Sequence, residues 1–82
     1  MANVPSQAEV IRAILDVIHT LNVRGNEIFN VTTVDSLVQG CGFRPKEIRA
    51  AYVSMSEGGL IEATNQPQFF KLTDAGFAAI YT

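Results

Sequence analysis

Apolar and polar positions along the chain fall into helical spacing in some stretches and short, dense apolar runs in others, with glycine, proline and asparagine between them. Ser6 followed by Glu9 is the signature of a capping box, in which each side chain satisfies a backbone N–H that the first helical turn leaves unpaired. Val10, Ile11, Ile14, Leu15, Val17, Ile18 and Leu21 then recur on one wide helical face. Residues 22–26, with Gly25 among them, end that helix, and residues 28–31 read as a short strand. A second helix is predicted from Thr32 or Thr33, with Asp35 near its positive end. Val34, Leu37, Val38 and Cys41 make its expected buried stripe. Gly40 and Gly42 stop it, each able to take the left-handed conformation that closes a helix.

The third helix has Pro45 in its first turn, where the missing N–H is harmless. Ile48, Ala51, Tyr52 and Met55 are spaced i, i+3, i+4, i+7, which predicts a buried stripe. Lys46, Arg49, Ala50, Val53 and Glu57 fall on the opposite side. Gly58 and Gly59 end this helix. Residues 60–64 and 69–72 are strand candidates joined by a turn at residues 65–68. Thr73 caps a last short helix carrying Phe77, Ile80 and Tyr81. The expected order is helix, strand, helix, helix, strand, strand, helix.

At 82 residues the chain is expected to form one domain spanning 1–82. Its charged fraction of 17% lies below the roughly 25% usual for soluble domains, which leaves apolar surface for a partner or a second copy. A lone cysteine, Cys41, allows no internal disulfide and is expected to pack as a small apolar residue. There is no apolar run of eighteen residues and no basic stretch leading into an apolar segment at the start. The expectation is a soluble cytoplasmic protein without membrane association. His19 is the sole histidine and has no acidic or cysteine partner at ligand spacing, so no metal is expected. The sequence also lacks a phosphate loop, a dinucleotide fingerprint and a nucleophile–histidine pair. Neither a cofactor nor an enzymatic activity is expected.

The stretch Leu37-Val38-Gln39-Gly40-Cys41-Gly42-Phe43-Arg44-Pro45-Lys46-Glu47-Ile48 resembles the core of a helix-turn-helix. Met55-Ser56-Glu57-Gly58-Gly59-Leu60-Ile61-Glu62 resembles the segment that joins a recognition helix to the first strand of a wing. Phe70-Lys71-Leu72-Thr73-Asp74-Ala75-Gly76 resembles the return strand running into a capped helix. Together these pieces cover residues 28–81 and are similar to the winged helix-turn-helix family of DNA-binding regulators. The resemblance implies an α+β winged helix: a three-helix core, a small antiparallel sheet with a wing, and a short C-terminal helix. It further implies a transcriptional regulator that places its third helix, residues 45–57, in the major groove of double-stranded DNA with a hairpin wing, residues 60–72, alongside.

On that reading Arg49 grips guanine with two hydrogen bonds, and Arg44 and Lys46 touch phosphates. Ala50 and Val53 meet thymine methyl groups, Gln66 and Gln68 reach the minor groove, and Lys71 adds a cation from the second wing strand. Each residue also has a plainer reading: Arg49 as a surface residue near Glu47 or Glu57, Val53 as an interface residue, the glutamines as solvated turn positions. Two features depart from the family. The recognition helix is usually capped by serine or threonine, and here Arg44 stands there. The wing tip usually carries arginine or lysine, and here it is Asn65-Gln66-Pro67-Gln68. The net charge of −2 is also unusual for a nucleic-acid binder. Action as a homodimer is expected, through the first helix and the terminal helix around Phe77, Ile80 and Tyr81. The alternative is a winged helix that binds a protein partner, an adaptor or inhibitor that does not touch DNA.

Overall fold

The computed structural model describes residues 6–81; residues 1–5 and Thr82, which the expected domain includes, lie outside the described residues. The Ser6 hydroxyl accepts from the Glu9 N–H at 3.2 Å and starts helix α1, Gln7–Thr20. Asn22, at φ 60°, closes it: the Asn22 N–H donates to the His19 carbonyl and the Val23 N–H to the Ile18 carbonyl, a Schellman pairing. Asparagine tolerates this left-handed conformation better than most side-chain-bearing residues.

Strand β1 is Ile28–Asn30 and helix α2 is Val31–Gln39. The helix starts earlier than Thr32 or Thr33, and Val31 belongs to it rather than to the strand. Asn30 decides this, because its Oδ1 accepts from the Thr32 N–H at 2.8 Å and caps the helix directly at the strand end. The α2 stripe is also narrower than its spacing suggests. Val34 and Val38 are fully buried, but Leu37 is 47% exposed and Cys41 is exposed. Cys41 follows the end of the helix and so no longer keeps its phase. Leu37 lies on a flank that no other described element covers. Of the two glycines after α2, Gly42 is left-handed, at φ 99°, and Gly40 keeps right-handed helical angles.

Helix α3 is Pro45–Glu57, with Ile48, Ala51, Tyr52 and Met55 buried as their spacing predicts. Its cap is one-sided. Glu47 Oε1 accepts from the Arg44 N–H at 2.8 Å, while the arginine side chain has no acceptor to return the bond. The exit is another Schellman pairing, with the Leu60 N–H on the Met55 carbonyl and the Gly59 N–H on the Ser56 carbonyl. Strands β2, Ile61–Ala63, and β3, Phe69–Leu72, follow as a hairpin, and helix α4 is Asp74–Ile80. Leu60 and Thr64, expected in β2, lie just outside it. The Thr73 hydroxyl accepts from the Gly76 N–H at 3.0 Å and approaches the Gly59 and Leu60 carbonyls at 2.6 and 2.9 Å. One side chain thus caps α4 and ties it to the end of α3.

Among the described residues the fold is α+β: four helices and one antiparallel sheet of order β1-β3-β2. Phe29 pairs with Phe70 and Ile61 with Leu72, so these four side chains share the inner face of the sheet. Ile28, Lys71 and Glu62 are paired across the outer face. The inner face packs on α3 through stacked rings: Phe29 with Phe70 at 6.5 Å, then Phe70 with Tyr52 at 6.0 Å. Helix α1 lies against α2, α3 and α4 and drives Val10, Ile14 and Ile18 into one core with Val34, Val38, Ile48, Met55, Ile61 and Leu72. Arg12 fastens α1 to the end of α4, donating to the Ala79 and Ile80 carbonyls at 3.1 and 2.7 Å while paired with Asp16 at 2.8 Å. Leu21, expected on the apolar face of α1, is 39% exposed, and Tyr81, expected on the terminal helix as part of a homodimer face, is 64% exposed. Tyr81 keeps edge-on ring contacts with His19 and Phe77 at the surface. Among the described residues no helix is long and apolar enough to cross a membrane.

Candidate functional site

The candidate residues separate into three groups. Arg44, Lys46, Arg49, Ala50 and Val53 are all exposed, on α3 or at its cap. They are displayed because the stripe from Ile48 to Met55 takes the opposite side of the helix into the core. Among the described residues the ion pair is Arg12–Asp16, so Arg44, Lys46 and Arg49 have no ion-pair partner there. Glu47 stands among them with its carboxylate held on the Arg44 backbone N–H, and its negative charge offsets part of theirs. The start of α1 borders this face, where Gln7 Nε2 donates to the Ala50 carbonyl at 3.3 Å.

Gln66 and Gln68 form the second group, exposed at the hairpin tip. The tip is anchored by its backbone: the Val31 N–H donates to the Gln68 carbonyl at 2.8 Å, and the Thr64 hydroxyl bridges the turn to the Gln66 and Phe69 carbonyls at 3.0 and 2.8 Å. The tip therefore lies close to the start of α2. Lys71 stands apart from both groups. It sits half-buried on the outer face of the sheet between Ile28 and Glu62, whereas the inner face meets α3. The structure does not gather it with the three cations of α3.

A groove of about 510 Å³ runs between α3 and the hairpin. Val31, Val53, Ala63, Pro67 and Phe70 form its apolar wall, and Arg49 and Glu57 also line it. It holds two residues that sequence reasoning did not single out as a site. Tyr52 is only 9% exposed and its Oη has no hydrogen-bond partner; Asp35 Oδ1 is likewise buried and unpartnered. Burial pushes the Tyr52 phenol pKa well above the ordinary tyrosine range, and the nearby Asp35 carboxylate raises it further through its charge and its pull on the phenolic proton. The approach stops short of hydrogen-bond geometry. Each buried polar group left in this state costs about 1–3 kcal/mol. Tyr52 was legible as a core position and Asp35 as a helix-start acid. Nothing in their spacing marks them as neighbours, because the packing of α2 on α3 brings them together.

Compared with models of protein families, with curated proteins and with solved structures, the chain matches none.

Proposed function

We propose that the chain is a winged-helix domain that binds double-stranded DNA through α3 and acts as a transcriptional regulator. The element order and the β1-β3-β2 sheet support this reading, because the hairpin then flanks α3 as a wing flanks a recognition helix. The observation that carries it is the exposed, unpaired set Arg44, Lys46 and Arg49 at one end of α3. Cations without an internal ion pair give up no such pair when they engage phosphates, and each contact releases condensed counterions. Helix α3 has 13 residues and hence a length of about 20 Å, enough to lie along a major groove. Its outer face carries Ala50 and Val53, small apolar groups suited to thymine methyls. In this proposal Gln66 and Gln68 are minor-groove contacts, and Lys71 is an outlying cation.

The test is fluorescence anisotropy of a labelled random duplex across a salt series. Three phosphate contacts per chain correspond to a log–log slope of about −2.7, and a homodimer would show about −5.4. Replacing Arg44, Lys46 and Arg49 together with glutamine should remove binding and leave the melting temperature unchanged. Absence of duplex binding at about 50 mM salt overturns the reading, since non-specific affinity is greatest at low salt.

A second reading, a winged helix that binds a protein, is favoured by exposed apolar residues on α2 and α3. Leu37 is 47% and Val53 55% exposed, on a chain of net charge −2. Under that reading Val53→Asp abolishes partner capture while a duplex leaves the protein's anisotropy unchanged.

A further inference from the structure

We infer that the outer face of α3 reads the C5-methyl group of a pyrimidine that precedes a guanine, so that methylation of cytosine in a CpG step strengthens binding. This inference rests on the DNA reading and deepens it. Its support is the pair Arg49 and Val53. Both are exposed, Val53 at 55%, and they stand one helical turn apart on the same face of α3. Residues at that spacing have Cβ atoms about 5–6 Å apart. A helical side chain also leans back over the turn that precedes it, so Val53 lies over the turn carrying Arg49 and Ala50. Together they make one patch, a guanidinium beside an apolar surface. Successive base pairs are about 3.4 Å apart, so a patch of this size spans a dinucleotide step rather than a single base.

The two halves of the patch call for different chemistry. The planar fork of an arginine matches guanine O6 and N7 in the major groove, and Arg49 has no ion-pair partner among the described residues to hold it elsewhere. The valine side chain makes no hydrogen bond and gains only by covering another apolar group. The apolar group that the major groove presents is the methyl on C5 of thymine. 5-Methylcytosine carries the same methyl on the same ring atom, whereas cytosine has a hydrogen there. Val53 suits the contact because a β-branched side chain in a helix keeps one dominant χ1 rotamer, so its methyls are in place before binding. Ala50, also exposed, is small enough to let a base edge approach. Of the two possible orders, pyrimidine followed by guanine is the more deformable step and costs less to fit to a helix. TpG supplies this pair as it stands, and CpG supplies it once the cytosine is methylated.

The experiment begins with selection of duplexes from a random-sequence library in which every CpG cytosine carries the C5-methyl group. Retention by the chain at about 50 mM salt tests the DNA reading on its own. The best-retained sequence is then made in two forms, with 5-methylcytosine or cytosine at its CpG steps and with thymine or deoxyuridine at its TpG steps, and their affinities are compared by anisotropy. The methylated form should bind about four-fold tighter for each methyl covered, the factor that about 0.8 kcal/mol per buried carbon represents. Val53→Ser should bring this ratio close to one. The ratio compares two duplexes on one protein, so a change in the folded fraction does not move it. Equal affinity for the two forms overturns the inference and leaves the DNA reading standing, as do selected sequences that lack both CpG and TpG. A ratio that persists in Val53→Ser overturns it too, because methylation then acts through the shape of the duplex. If no duplex is retained, the DNA reading and this inference fall together.

Discussion

Gly76 sits in the first turns of α4, fully packed, at a place where the chain has no room for a side chain. A Cβ built there collides with the Leu60 carbonyl oxygen and comes within 2.7 Å of Leu72 Cδ1. The Leu60 carbonyl cannot easily yield, because it accepts from the Thr73 N–H at 3.1 Å and is approached by the Thr73 hydroxyl at 2.9 Å. Gly76→Ala therefore sets two effects against each other. Alanine favours a helix over glycine by about 1 kcal/mol. Overpacking costs about 1–3 kcal/mol, and disturbing two hydrogen bonds adds about 0.5–1.5 kcal/mol for each. The steric side wins, with a net loss of about 1–5 kcal/mol from these terms and a midpoint of about 3 kcal/mol. Domains of this length hold roughly 4–12 kcal/mol in total, so the variant should melt about 10–25 °C lower. Thermal denaturation followed by circular dichroism measures this. A melting temperature equal to or above the parent's would show that α4 does not dock on the Leu60 carbonyl as described.

Further outcomes follow from the same packing. Ile48→Ala, at a position 1% exposed beneath α3, should cost about 2–5 kcal/mol by urea denaturation. Thr73→Val removes the cap of α4 and its tie to α3, and should cost about 1–2 kcal/mol in the same assay. Tyr52→Phe removes a buried hydroxyl that has no partner, so the variant should be as stable as the parent or more so. A loss above about 1 kcal/mol would reveal a hydrogen bond the structure lacks. The raised Tyr52 pKa has a defined sign: the folded state keeps a proton that the unfolded state gives up above about pH 10, so stability falls as pH rises past that value. Denaturation at neutral and strongly alkaline pH should show the parent losing more stability than Tyr52→Phe, and equal losses would refute the assignment.

The signals written into short stretches of chain were legible without a structure. Ser6 and Thr73 cap the helices their spacing announces, and the stripe Ile48, Ala51, Tyr52 and Met55 is buried as its period requires. Capping and helical phase are decided within a turn or two, so the residues that carry them stand next to each other in sequence. The exposure of Arg44, Lys46 and Arg49 follows from the same phase. What lay beyond reach depended on contacts between distant segments. The β1-β3-β2 order sends Lys71 to the outer face of the sheet, away from the cations of α3. The packing of α2 leaves Leu37 in solvent although its spacing suits a core. Asp35 and Tyr52 become neighbours only when α2 folds back on α3, and the groove beside them exists only once the hairpin lies along that helix. Periodicity tells which side of an element is apolar, while the choice of what covers that side is made by the whole chain closing on itself.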